Sequence, residues 1–433
     1  MEKIYHYFRG NDDFSILDIE QQKQKASTFI KQSFSSKNLS IFIGSGCSVP
    51  AIPLMSQTMS EILEDDDILT VVKQYLGAKP TSYFKNYLSD RKNWSGIEDT
   101  EKDEITSLED YIGANNFSSI SDLDNKAYIS NEIVKKYLNF LYESYSDIES
   151  LLNWIQNGLN YDPNNKKLSD AFKTIKSKFI ATILNLQPDD YTGDVFKTYS
   201  MFYKHIFKVR GIEESKVSIF TTNYDLFNEK GLEANNILYT TGFTSTLQKR
   251  FDINQFKYRL VDDTNRYKDK WQPTFKEANL YKIHGSINWS SSDEGELYQV
   301  EGEQEHESVV IYPTMLKHRE TAQAPYSKLF REFSNSLQKP NTTLIVIGYG
   351  FPDEHINTII SQNLKNQDFK LIVFGDINEM KMRDFYNENK YSGFHLIGGE
   401  IENGKRAHHF NVIIDELLDY VPASKSEEVK SDE

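Results

Sequence analysis

The chain has 433 residues, of which 49 are Lys or Arg and 64 are Asp or Glu, giving a formal net charge of −15 at pH 7. Because nucleic-acid phosphates repel an acidic surface, this charge argues against a stand-alone nucleic-acid-binding protein. The 38% of apolar and 13% of aromatic residues argue against disorder and provide for a large core. The single cysteine, Cys47, excludes an intramolecular disulfide and a four-cysteine zinc site.

No apolar run approaches the roughly 20 residues that a membrane-spanning helix needs. The N-terminus has no basic flank leading into an apolar stretch, so it does not resemble a secretory signal. We therefore expect a cytoplasmic protein without a membrane partner. None of the nine His residues lies in a pattern typical of a metal site, and no metal is predicted.

In chain order, the first predicted element is a helix over roughly 15–35, where apolar residues recur at helical spacing. A short buried strand follows at 38–46 and runs into a glycine turn, and the pattern from about 55 to 210 is almost entirely helical. Strands are then predicted at 216–220, 279–286, 307–314, 342–350, 369–376 and 394–399. The helices predicted among and after them are 324–338, 355–364 and 411–420.

Several of these strands are continuous apolar runs, which are typical of strands covered on both faces of a parallel sheet. Their alternation with helices predicts an α/β fold with a doubly wound parallel sheet. Because strand-like sequence lies on both sides of the helical block, we interpret the block as a large all-helical insertion. The predicted organisation is the N-terminal helix and first strand at 1–54, the insertion at 55–210, the rest of the α/β domain at 211–421 and a disordered acidic tail at 422–433.

Five predicted strands end in glycine or polar residues. Ligands of open α/β sheets gather outside the carboxyl ends of the strands, and glycine turns let backbone N–H groups approach a phosphate. Simpler roles stay open: a glycine turn can merely join a strand to a helix, Asp225 can cap a helix, and a lone histidine is usually structural. The five segments are 44–46, 221–225, 282–286, 348–353 and 375–378.

The order and spacing of these segments resemble the motifs of the sirtuins. The matching residues are Gly44-Ser45-Gly46 with Ser48, the TTNYD sequence at 221–225, HGS at 284–286 and the Ile-Asn pair at 377–378. GYGFPDEHIN at 348–357 and SDIESLL at 146–152 look closer still to the bacterial sirtuin-like branch associated with phage defence. The resemblance covers roughly 38–54 and 216–400.

The resemblance implies a Rossmann-type sheet that binds NAD+ as its substrate and breaks the nicotinamide–ribose bond. Asn223 would position the attacking water, Asp225 would orient that site, and His284 would contact ribose hydroxyls or act as general base. Asn378 would hold the adenosine ribose. The other residues implied in NAD+ binding are Gly44, Ser45 and Gly46 at the pyrophosphate, Ser48 and Thr222 nearby, and Gly348 and Tyr349 in the nucleotide pocket.

The chain also departs from protein-deacylating sirtuins. It lacks their four zinc-binding cysteines, and Leu54-Met55-Ser56 stands where they carry Asp-Phe-Arg. These differences favour hydrolysis of NAD+, in the manner of a defence enzyme held inactive until infection. The resemblance to this sirtuin-like branch also implies a homo-oligomer and a HerA-type ATPase as a partner. The alternatives are a non-catalytic NAD+ or ADP-ribose sensor and an NAD+-dependent deacylase or ADP-ribosyltransferase, and the reaction products distinguish them.

Overall fold

The computed structural model describes residues 2–94, 96–127, 131–184, 192–267, 270–292, 296–300 and 325–420. Contacts divide the chain into two units. The first contains the residues up to Ile52 and all described residues from 183 onward, and the second contains Pro53–Thr182. The predicted strand at 307–314 and the predicted tail at 422–433 lie outside the described residues.

The first unit is built on a large, mostly parallel sheet. The fifteen strands of the described residues are β1 (Lys3–Phe8), β2 (Asn11–Asp12), β3 (Asn38–Ile43), β4 (Val217–Thr221), β5 (Leu238–Thr240), β6 (Lys249–Arg250), β7 (Val261–Tyr267), β8 (Lys270–Pro273), β9 (Glu277–Lys282), β10 (Trp289–Ser291), β11 (Leu297–Gln299), β12 (Thr342–Ile347), β13 (Phe369–Phe374), β14 (Phe394–Ile401) and β15 (Lys405–Arg406). Ten of them form the large sheet in the order β2-β1-β14-β13-β12-β3-β4-β9-β5, with β15 paired to β14.

Helices occupy most of the remaining described chain. The helices from 55 to 184 form the second unit, apart from the last two residues, 183 and 184, which belong to the first unit. None of the described helices combines the length and apolar character required to cross a lipid bilayer. The helices are α1 (Ile19–Ser33), α2 (Met55–Ile62), α3 (Asp66–Gly77), α4 (Thr81–Lys92), α5 (Asp99–Asn115), α6 (Ile120–Ala127), α7 (Glu132–Glu143), α8 (Ile148–Tyr161), α9 (Lys166–Leu184), α10 (Asp194–Val209), α11 (Phe227–Glu233), α12 (Tyr326–Leu337), α13 (Glu354–Asn363), α14 (Met380–Asn389) and α15 (Phe410–Val412).

The continuous apolar strands have this character because helices cover both faces of the sheet. Successive residues of β3 illustrate the two faces: Ile41 and Ile43 join one core cluster, and Phe42 between them joins the other. The first cluster includes side chains of α1, α10 and α11, and the second includes side chains of α12, α13 and α14. The prediction of a doubly wound, Rossmann-like α/β fold with a helical insertion is therefore confirmed.

The strand order reverses direction at β3, which pairs in parallel with β4 on one side and with β12 on the other. β4 pairs in parallel with β9, and β12 pairs in parallel with β13. The carboxyl ends of these five strands therefore lie along one edge of the sheet. The reversal at β3 creates a crevice at this edge, the position where open α/β sheets bind their ligands.

The N-terminal strand β1 was not expected from the sequence. It pairs antiparallel with β14, and His6 Nε2 of β1 lies 3.0 Å from His395 Nδ1 of β14. The six residues KIYHYF mix charge, histidine and aromatic rings, so they lack the continuous apolar run that marks the central strands. Pairing with β14, about 390 residues away along the chain, gives this segment its strand conformation.

Candidate functional site

The glycine turn after β3 packs directly against the exit of β12. Gly44 N–H donates to Ile347 O at 2.9 Å, and Gly46 N–H donates to Gly348 O at 2.9 Å. A Cβ atom on Gly44 would lie 2.3 Å from Gly348 O, so only glycine permits this backbone approach. The turn leaves Ser45 and Gly46 exposed at the crevice, as a phosphate-binding turn requires.

Asn223 follows β4 and turns its side chain toward that glycine turn. The Nδ2 group donates to Gly44 O at 3.0 Å and to Ser48 Oγ at 3.1 Å, and it lies 3.4 Å from Tyr199 Oη. A backbone carbonyl can only accept, so the contact with Gly44 fixes which end of the amide is the nitrogen. The side chain is only 5% exposed.

This orientation leaves the other end of the amide unused. Within the described part of the chain, Asn223 Oδ1 is buried and accepts no hydrogen bond. A buried polar atom without a partner is costly, about 1–3 kcal/mol, and buried polar atoms normally have partners. Asn223 Oδ1 is therefore an oriented hydrogen-bond acceptor that none of the described residues uses.

Ser48 joins Asn223 to Asp225. Its hydroxyl donates to Asp225 Oδ2 at 2.8 Å, so at the 3.0 Å contact with Tyr199 the tyrosine must be the donor. Asp225 is 2% exposed, and burial raises the pKa of its carboxyl, whereas the charge of Lys282 and the bond from Ser48 oppose that rise. The other carboxylate oxygen of Asp225 accepts from the backbone N–H of Phe227 at the start of α11.

His284 lies on the neighbouring strand exit, at the same height as Asn223. Thr221 and Lys282 are partners in the register of β4 with β9, and Asn223 and His284 each stand two residues beyond these partners. Adjacent strands are about 4.8 Å apart, so the two exits open side by side. Asn223 and His284 are 61 positions apart in sequence, but the pairing of β4 with β9 brings their loops together.

A carboxylate approaches the imidazole of His284. His284 Nε2 lies 3.6 Å from Asp353 Oδ2, and both side chains are buried. Asp353 also caps α13, because its Oδ1 accepts from the backbone N–H of His355 at 3.0 Å. The carboxylate of Asp353 is therefore within ion-pair distance of the imidazole but beyond hydrogen-bond distance.

The remaining predicted residues are distributed along the same edge. Thr222 is half-buried beside Asn223, and Gly348 adopts a left-handed backbone with φ of 67°. Tyr349 packs its ring 4.8 Å from that of Phe42 in the core, so the ring contributes to the floor of this region. Asn378 is exposed beyond β13, two strands from β3, and its Nδ2 donates to Asp376 Oδ1 at 2.9 Å.

Three residues around the site were not assigned to it from the sequence: Tyr199, Lys282 and Asp353. Tyr199 lies on α10 within an ordinary helical pattern, so no local signal distinguishes it. Lys282 had a signal, because it lies in a predicted strand and a lysine is rarely buried unless it is paired. Among the described residues, no group of three or more His, Cys, Asp or Glu side chains could hold a metal ion.

Comparison with known proteins identifies the region that contains most of these residues. The family model of the SIR2-like domain matches residues 217–390, from β4 to the end of α14, and this range includes Asn223, His284 and Asn378. No curated protein matches the chain. The sirtuin resemblance is thus confirmed at the level of the domain: the chain contains a SIR2-like domain, which typically occurs in NAD+-using enzymes.

Proposed function

We propose that the protein is an NAD+ glycohydrolase that cleaves the nicotinamide–ribose bond. The observation that carries this proposal is the buried Oδ1 of Asn223, which has no partner among the described residues and belongs to the strand exit beside that of His284. An amide acceptor held by three contacts on its nitrogen side suits the positioning of one water molecule.

In the proposed reaction, a water held by Asn223 attacks the anomeric carbon of the nicotinamide riboside. The C–N bond breaks, and nicotinamide leaves as a neutral molecule with the bonding electron pair. The water gives one proton to His284, which Asp353 orients, and the products are nicotinamide, ADP-ribose and one proton. The leaving group is already cationic, so positioning and a base suffice without an acid.

The other residues along the edge divide the dinucleotide between them in this proposal. The exposed turn at Ser45 and Gly46 receives the pyrophosphate, with Gly348 beside it. Asn378 receives the adenosine ribose beyond β13. Ser48 and Asp225 touch Asn223 or its partners and hold the water-positioning amide in place.

We also propose that this activity serves anti-phage defence by depleting NAD+ once the enzyme is activated. Uncontrolled loss of NAD+ would harm the host cell, so the activity requires regulation by a homo-oligomer or by a partner such as a HerA-type ATPase. The support is the resemblance of 348–357 and 146–152 to the defence branch. Size-exclusion chromatography with and without that ATPase tests the regulatory part, and an enzyme equally active as a monomer would contradict it.

A product assay tests the hydrolase. Purified protein is incubated with NAD+ over a range of protein concentrations, and nicotinamide and ADP-ribose are separated by chromatography. We expect Asn223→Ala and His284→Ala to lower nicotinamide release at least about 100-fold, because each removes a group that acts on the water. Asn254→Ala is the matched control, since Asn254 is an exposed amide outside the strand exits.

The assay also separates the alternatives. Full release by both site variants contradicts the hydrolase. Binding of NAD+ without release supports the sensor, and transfer of ADP-ribose or formation of acyl-ADP-ribose supports the transferase or the deacylase.

A further inference from the structure

Lys282 is a fully buried lysine at the end of β9, and its ammonium group is enclosed by three acceptors. It donates to Tyr224 O at 3.2 Å, to Asp225 O and to Glu229 Oε1 at 3.0 Å. An ammonium group has three N–H donors, so this set uses all of them. The side chain is 0% exposed, which leaves no face open to a substrate.

Two of the three acceptors belong to the backbone that follows Asn223. Lys282 therefore fastens the loop after β4 at the two residues that come directly behind the water-positioning amide. Its own backbone leads within two residues to His284. The same loop is also tied to the β9 exit by the backbone N–H of Ile287, which donates to Tyr224 O at 3.1 Å.

The third acceptor, Glu229 on α11, is a carboxylate that is itself 5% exposed. Burial raises the pKa of Glu229, and the charge of Lys282 opposes that rise. Buried ion pairs add little net stability compared with an apolar pair of similar volume. A charged residue at the end of this fully buried strand is therefore explained better by what it positions than by what it stabilises.

We propose that Lys282 is a positioning residue for the hydrolysis of NAD+. Its ammonium group fixes the loop of Asn223 relative to the strand exit of His284, so that the Asn223 amide oxygen and the His284 imidazole contact the same water molecule. This inference rests on the proposed function, and it assigns Lys282 no contact with NAD+.

The test replaces the ammonium without leaving Glu229 as an unpaired charge. The double variant Lys282→Met with Glu229→Gln removes both charges and keeps the side-chain volumes. We expect it to stay folded and to lower kcat about 100-fold, with KM for NAD+ within about threefold of the original value. The loss appears in kcat because the groups that bind the nucleotide are unchanged.

Lys23→Met is the matched control. Lys23 is also a buried lysine, on α1, and its Nζ lies 3.2 Å from Oε2 of Glu416. We expect it to lower the melting temperature and to leave kcat unchanged. If the double variant is folded and its kcat equals that of the original protein, the positioning role is refuted while the hydrolase stands. If the single variant Lys282→Met does not fold, the double variant still decides. If the original protein releases no nicotinamide under any condition, the hydrolase is refuted, and the positioning role with it.

Discussion

The hydroxyl of Ser48 can be removed without changing the backbone, and its loss should be costly. It donates one bond to the buried carboxylate of Asp225 at 2.8 Å and accepts two, from the amide of Asn223 at 3.1 Å and from the hydroxyl of Tyr199 at 3.0 Å. A bond to a charged group contributes about 1.5–3 kcal/mol and a neutral bond about 0.5–1.5 kcal/mol. Ser48→Ala should therefore lower the free energy of unfolding by at least about 2 kcal/mol, because Ser48 is only 1% exposed and all of these bonds are lost.

The cost should also depend on pH. Burial already holds the pKa of Asp225 above its ordinary value of 3.8, and loss of the Ser48 donor raises this pKa further. Between the unfolded pKa of 3.8 and the raised pKa of the folded state, the folded state holds a proton that the unfolded state has released, so stability falls as the pH rises through this window. The destabilisation caused by Ser48→Ala should thus be larger at pH 7.5 than at pH 5.

Urea denaturation at the two pH values measures both effects. Ser334→Ala is the matched control, because the Ser334 hydroxyl accepts a single neutral bond from Gln338 near the surface, and we expect a cost below about 0.5 kcal/mol. If Ser48→Ala costs no more than Ser334→Ala, the proposed network among Ser48, Asn223 and Asp225 does not hold the site together.

Two further predictions concern backbone approach and pH. Gly44→Ala should lower the free energy of unfolding, measured by urea titration, by about 1–3 kcal/mol or more, because its Cβ would lie 2.3 Å from Gly348 O. Gly211→Ala is the control and should change it little, since the nearest atom to that Cβ lies 3.9 Å away. Equal losses in the two variants would refute the close approach. Burial lowers the pKa of His395 to about 3, so below pH 6.5 the unfolded chain takes up a proton that the folded protein does not. The free energy of unfolding should therefore fall by up to about 1.4 kcal/mol for each unit by which the pH is lowered. His395→Gln should reduce that slope between pH 6.5 and 5, and an unchanged slope would count against the buried neutral pair with His6.

The sequence predicted the central strands well because the hydrophobicity of neighbouring residues indicates that these strands are buried. The apolar run at 342–347 has all six residues buried, and the run at 369–374 is buried except at Lys370, so continuous hydrophobicity indicated two covered faces. The short strand β5 escaped prediction because three residues carry no periodicity. Strand β1 escaped because its conformation depends on pairing with β14.

The candidate site was predicted in part. Asn223, His284 and the glycine turn at Gly44 were marked by their place after predicted strands, which is a local property. Tyr199 and Asp353 were not assigned to the site, because each reaches it from a helix or a helix cap whose packing no local pattern reveals.

The sequence by itself determined the alternation of strands and helices and the kinds of side chain that follow each strand, since both depend on neighbours within a few residues. Only the tertiary structure decided that β9 lies beside β4 while β5 takes the outer edge, and that α10 brings Tyr199 to Ser48. Strand order and helix packing depend on contacts between residues tens to hundreds of positions apart, and the pattern of residues along the chain does not specify which segments will pair.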